Sequence, residues 1–112
     1  MAALTATTPA RTGTVTSGAA VAASDTITVA QLGSLGAFLE IVNGGGSPDN
    51  MTISDATSTV TGASAASNAP SVTNGTSKVF YIHPRQADAT TGLVTVTHSF
   101  TTSVTYKLYP LG

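Results

Sequence analysis

Cysteine and tryptophan are absent from this 112-residue chain, and charged side chains make up only 8% of it. The missing cysteine excludes a disulfide framework and any thiolate metal site. Lys and Arg number 4 against 5 Asp and Glu, a net charge of −1 with His neutral, and the basic residues are scattered. Nucleic-acid binding relies on clustered basic residues that displace counterions, so no nucleic-acid partner is expected. Long apolar runs are also missing. Nothing approaches the roughly 20 residues of a membrane-spanning helix, and no membrane partner is expected. Histidine is limited to His83 and His98, with no His-x-His or His-Glu-x-x-His spacing. Neither a metal nor another cofactor is therefore expected.

What remains is threonine, serine and alanine, and the threonines alternate with apolar residues. Thr26-Ile27-Thr28-Val29, Met51-Thr52-Ile53-Ser54 and Leu93-Val94-Thr95-Val96-Thr97 carry the pattern. A β-branched side chain suits a pleated, half-buried surface, and alternation sends one face to a core and the other outward. An outer face covered with hydroxyls repels its neighbours weakly, which suits a subunit that packs into something larger. Met1-Ala2-Ala3-Leu4-Thr5 carries neither a basic n-region nor the apolar run of a signal peptide. A virion protein, made in host cytoplasm and later exposed, reconciles such a surface with no visible export signal. A mature chain whose signal has been removed would do so too.

The length allows one domain with one core. Residues 1–24 are small and polar, broken by Pro9, Gly13 and Gly18, and read as an extended N-terminal arm. It is either a disordered terminus or an arm that orders on a neighbouring chain, because so few apolar residues cannot offset backbone ordering within a monomer. Residues 25–112 read as the domain. Strands are expected at Asp25 to Ala30, Ala37 to Asn43, Asn50 to Asp55, Lys78 to His83, Leu93 to Phe100 and Val104 to Tyr109. Ala37 to Asn43 sends Leu39 and Ile41 inward and Phe38, Glu40 and Val42 outward. With Asn50 to Asp55 it forms a hairpin across the Gly44-Gly45-Gly46 loop. Residues 56–77 hold weak β elements near Thr59-Val60 and Ser71-Val72, and form either an irregular strand or a projecting loop. Asn74-Gly75 is a turn signal. Arg85 and Asp88 are spaced to pair on a helical turn.

The fold class is therefore all-β: a single antiparallel β-sandwich, jelly-roll-like or Ig-like, of about seven or eight short strands. The expected core is Ile27, Val29, Leu39, Ile41, Met51, Ile53, Phe80, Ile82, Val94, Val96, Phe100, Val104, Tyr106 and Leu108.

Candidate chemistry is sparse. Asp25, Glu40, Asp49, Asp55 and Asp88 show no spacing that marks a paired acid and base, and no enzyme is expected. His98 shares a face with Val94, Val96 and Phe100, where a hydrogen-bonded structural histidine is the expectation. His83, before Pro84, reads as a strand-end residue. The glycine run lacks the Gly-Lys-Ser/Thr ending of a phosphate loop. Asn50-Met51-Thr52 and Asn74-Gly75-Thr76 match glycosylation acceptors, a match common by chance in Thr-rich chains. Aromatics make up 5%, with Tyr81 and Tyr109 directed outward, few for a sugar-stacking surface. Arg11, Val15, Val21, Tyr81, Arg85, Lys107 and Tyr109 are the candidate interface residues.

Several stretches carry a resemblance. They are Leu39-Glu40-Ile41-Val42-Asn43-Gly44-Gly45, Met51-Thr52-Ile53, Lys78-Val79-Phe80-Tyr81-Ile82-His83-Pro84 and Gly92-Leu93-Val94-Thr95-Val96-Thr97-His98-Ser99, with Arg11-Thr12-Gly13 in the arm. Together they resemble a family of small structural proteins of tailed phages that infect actinobacteria. The resemblance spans residues 10–112 and is loosest at 56–77. It implies a capsid decoration, or cement, protein on the outer surface of the virion, with no catalytic residues. Implied partners are the major capsid protein and copies of itself, a trimer being favoured. The competing expectation is a carbohydrate- or host-surface-binding module such as a fibre or adhesin domain.

Overall fold

A computed structural model describes residues 2–14, 18–57, 61 and 68–111. The alternation becomes strands as read. In β4 (Ala37–Asn43) residues Ala37, Leu39, Ile41 and Asn43 are buried while Phe38 is exposed. β5 (Asp49–Ile53), β8 (Leu93–His98) and β9 (Val104–Pro110) bury every second residue in the same way. With β1 (Ala2–Ala3), β2 (Ala19–Ala20), β3 (Ser24–Thr28), β6 (Ser71–Val72) and β7 (Thr76–Ile82), the described residues hold nine strands. They form a five-stranded sheet ordered β1-β3-β8-β5-β6 and a four-stranded sheet ordered β2-β9-β4-β7. Every pairing is antiparallel except β1 with β3. The molecule is the all-β sandwich expected.

The connections differ from expectation. β4 and β5 do not form a hairpin: β4 lies between β9 and β7, and β5 between β8 and β6. Every link but β5 to β6 passes from one sheet to the other. The β4–β5 loop crosses on Asn43, whose Nδ2 donates to the Ser47 and Val72 carbonyls at 2.8 and 3.0 Å. Its Oδ1 accepts from Gly45 N at 3.0 Å. A Cβ at Gly45 would collide with the Phe100 ring and the Thr102 carbonyl, so this glycine is there for close packing.

Residues 25–30 were expected to continue as one strand with Val29 in the core. β3 instead ends at Thr28, and Val29–Leu32 makes one helical turn, α1, closed by Gly33 N donating to Val29 O at 3.1 Å. The turn rotates Val29 outward, 48% exposed, and buries Leu32 completely. Phe80 and Phe100 pack against the core from its margin and are only partly buried. Leu4, Val21, Leu32, Ala37 and Val72 belong to the core as well and were not anticipated.

The N-terminal segment corrects the division at residue 24. Leu4 is 2% exposed within its own domain's core. β1 runs parallel to β3, Leu4 N donates to Thr26 O at 2.8 Å, and Thr7 N donates to Leu108 O of β9 at 2.7 Å. Residues 2–7 thus pass from one sheet to the other. The Gln31 side chain contacts Leu4 O and Ala6 N, and Tyr106 Oη accepts from Thr5 N. These contacts lie within the one chain: Leu4 sits between the sheets, where its burial contributes roughly 1.5–3 kcal/mol, beside paired backbone.

In the 56–77 stretch, Ser71–Val72 is a strand, and Ile53 and Asn68 exchange two backbone hydrogen bonds at 2.8 and 3.1 Å. The element expected near Thr59-Val60 lies outside the described residues. Asn74-Gly75 turns as expected, with Gly75 at φ +78°. After β7 the chain makes a 3-10 turn, Pro84–Gln86. Asp88 does not pair with Arg85; its Oδ1 accepts from Thr90 N and Thr91 N at 2.7 and 3.3 Å.

Candidate functional site

β4 is the centre of the site. Its outward residues each meet one residue of β7 and one of β9 in register. Phe38 lies between Tyr81 and Tyr109, Glu40 between Val79 and Lys107, and Val42 between Ser77 and Thr105. Phe38, Tyr81 and Val79 are 42%, 50% and 61% exposed, large values for apolar and aromatic side chains. Leu35 and Leu111, also exposed, lie in the segments flanking β4 and β9.

The aromatic row is held in place. Phe38 and Tyr81 meet edge to face, with centroids 6.2 Å apart and planes at 67°. Tyr81 meets His83 in the same manner at 6.2 Å. Tyr81 Oη donates to the Leu35 carbonyl at 2.8 Å. Gly36, at φ +89°, allows this, since a Cβ there would run into the Ile82 carbonyl and the Tyr81 ring. Glu40 and Lys107, opposite in sign and in register, leave the face electrically neutral.

Of the candidate interface residues, Tyr81, Lys107 and Tyr109 converge here. Arg85 is exposed in the turn that follows β7. Arg11 sits in a separate exposed turn where Gly13 N donates to Ala10 O at 2.9 Å. Val21 is a correction: it is 8% exposed and packs into the core, pinned where Val21 N donates to Val104 O. Val15 lies outside the described residues. Phe38 and Val79 were not among the candidates. Alternation had directed Phe38 outward beside Glu40, so its signal was present. Val79 belongs to the apolar run Val79-Phe80-Tyr81-Ile82, of which Phe80 and Ile82 were expected in the core and only Ile82 is buried, because β7 lies at a sheet edge.

The titratable chemistry lies elsewhere and is sealed. His98 Nδ1 is 2.6 Å from Asp49 Oδ2, and its Nε2 is 3.8 Å from Asp25 Oδ2, with these side chains fully buried. Asp49 Oδ1 accepts from Ser99 N and Phe100 N, and Asp25 accepts from Ala22 N. The cluster ties β3, β5 and β8 together and has no open path to a substrate, which matches the structural role expected of His98. His83 Nδ1 accepts from Arg85 N at 3.0 Å and caps the turn at the end of β7. A groove of about 430 Å³ over the five-stranded sheet includes Asp55 and Asp88 in its lining. Both carboxylates cap turns, Asp55 through Thr57 and Asp88 through Thr90 and Thr91. Among the described residues no group of three or more His, Asp or Glu could hold a metal ion.

No family model, no curated protein and no solved structure matches this chain. Among the described residues no helix is long and apolar enough to cross a membrane.

Proposed function

We propose that the protein is a non-enzymatic virion structural protein, a capsid decoration protein that binds the outside of a phage head and bridges major capsid subunits. The observation that carries this reading is the exposed group Tyr81, Phe38 and Val79, with the partly buried Tyr109 in register beside Phe38, on a face with one balanced charge pair. Contiguous exposed apolar surface marks interaction sites, and aromatic side chains dominate the energetics of protein interfaces. Many copies on one lattice would multiply a modest single contact. The resemblance of Gly92 to Ser99 and of the β4 and β7 stretches to small phage structural proteins supports the same reading.

The aromatic row also favours a second reading, a carbohydrate- or host-surface-binding module. The angle of 67° between the Phe38 and Tyr81 planes weighs against it, since the two rings form no continuous flat platform for adjoining sugars. Sedimentation of purified protein with empty phage shells through a density gradient tests the first reading. Wild type should travel with the shells, and Phe38→Lys with Tyr81→Ala should stay at the top while keeping its melting temperature. Failure of the wild type to travel with any shell, together with binding on a glycan array, would replace the first reading with the second.

A further inference from the structure

β7 is the last strand of its sheet, and no described residue pairs with its outer edge. Which backbone groups face outward follows from two bonds at the ends of the β4–β9 ladder. Gly44 N donates to Ser103 O, and Leu111 N donates to Gly36 O, each at 2.9 Å. Bonded pairs alternate along an antiparallel ladder, so Phe38, Glu40 and Val42 spend their backbone groups on β9. Ala37, Leu39, Ile41 and Asn43 then face Ile82, Phe80, Lys78 and Thr76 of β7. The N–H and C=O groups of Ser77, Val79 and Tyr81 therefore point away from the sheet. No described residue outside the ladder bonds to them.

Such an edge is a template for another strand unless a proline, a bulge or a covering element blocks it. β7 contains no proline, and its register with β4 runs unbroken over seven residues. Its one charge is Lys78. From these features we infer that the β7 edge pairs with the β7 edge of a second copy of this chain, antiparallel across a twofold axis at Val79.

The strand is complementary to itself in that register and in no adjacent one. With Val79 opposite Val79 of the second copy, Ser77 meets Tyr81 on both sides of the axis, and all the outward backbone groups of these three residues are bonded. Lys78 falls opposite Phe80 of the second copy. Both side chains project to the inner side of the sheet, so the lysine stem and ammonium cover a ring that the monomer leaves only partly buried. A shift by two residues in one direction sets Lys78 against Lys78, and in the other gives up one bonded pair. Both four-stranded sheets join into one continuous sheet, and the two aromatic rows come to lie on the same side of it. Antiparallel edge pairing closes after two copies, unlike the trimer favoured by the phage resemblance. The pairing rests on the open edge alone and stands whether or not the chain decorates a shell.

Sedimentation velocity over a range from micromolar to millimolar protein tests this. Wild type should shift from the 11.1-kDa monomer toward twice that mass. Val79→Pro removes one outward N–H and leaves the ladder to β4 intact. Val79→Lys sets two like charges in register. Each variant should raise the dimer dissociation constant at least tenfold with a wild-type circular dichroism spectrum. The native chain has no cysteine, so single cysteines read the register. Val79→Cys should cross-link to its own copy under copper-phenanthroline, since a directly opposed pair has Cα atoms about 5.5 Å apart. Tyr81→Cys should not, because the two copies of that residue lie roughly 13 Å apart at the rise of a β-strand. A monomer at every concentration, an assembly unaffected by Val79→Lys, or cross-linking through Tyr81→Cys in place of Val79→Cys would overturn the inference.

Discussion

His98 shows what a single residue can and cannot announce. Its place on the Val94, Val96 face foretold burial, because side chains two apart on a strand share a side. Its partners, Asp25 and Asp49, come from two other strands, and nothing local to His98 names them. His98→Ala would take the histidine Nδ1 away from the buried Asp49 Oδ2 while both carboxylates keep their backbone donors, and a loss of about 1–3 kcal/mol is expected in urea denaturation. A loss below about 1 kcal/mol would mean the histidine does not hold the carboxylates in place. Core truncations should follow observed burial. Leu39→Ala, fully buried, should cost about 2–5 kcal/mol. Phe80→Ala should cost less than the roughly 3–5 kcal/mol of a fully buried phenylalanine, because its ring sits at the margin of the core.

Among the elements, the N-terminal segment departs furthest from its sequence reading. Composition alone argued that residues 1–24 could not repay their ordering within a monomer. Among the described residues of this segment, the structure buries Leu4 and Val21 in the core and pairs β1 and β2 with strands of the domain. Removing residues 1–7 should therefore lower the melting temperature of the isolated protein, and Leu4→Ala should reproduce most of the effect at about 2–5 kcal/mol. An unchanged melting temperature after the deletion would restore the segment to the status of a free arm. The β4–β5 link makes a related point. Gly44-Gly45-Gly46 signals a turn, but a turn signal does not say whether the chain returns beside the same strand or crosses to another sheet. Gly45→Ala should destabilise by about 1–3 kcal/mol through overpacking against the Phe100 ring and the Thr102 carbonyl, measured by thermal unfolding.

For the whole molecule, the near absence of charge shapes how it can associate. The proposed contact face carries Glu40 and Lys107 as one balanced pair amid apolar and hydroxyl side chains. Attachment to a shell should depend little on ionic strength, since screening acts on net charge and on separated ions. Shell occupancy should change by less than about twofold between low and near-molar salt, read by gradient sedimentation. A steep fall with salt would place the contact on Arg11 or Arg85, away from the aromatic row.

The sequence by itself determined the all-β class, the inward and outward sides of β4, β5, β8 and β9, and the burial of His98. Each of these follows from a local period of two, which the pleat imposes on any strand. It also placed Tyr81, Lys107 and Tyr109 outward for the same reason. Only the tertiary structure decided that β4 and β5 belong to different sheets, that Leu4 and Val21 fill the core, and that α1 turns Val29 out and Leu32 in. It alone left β7 at an edge, so that Phe80, expected in the core, is only partly buried. These outcomes depend on which distant segments meet, and a side chain is covered only where a neighbouring strand or sheet lies over it.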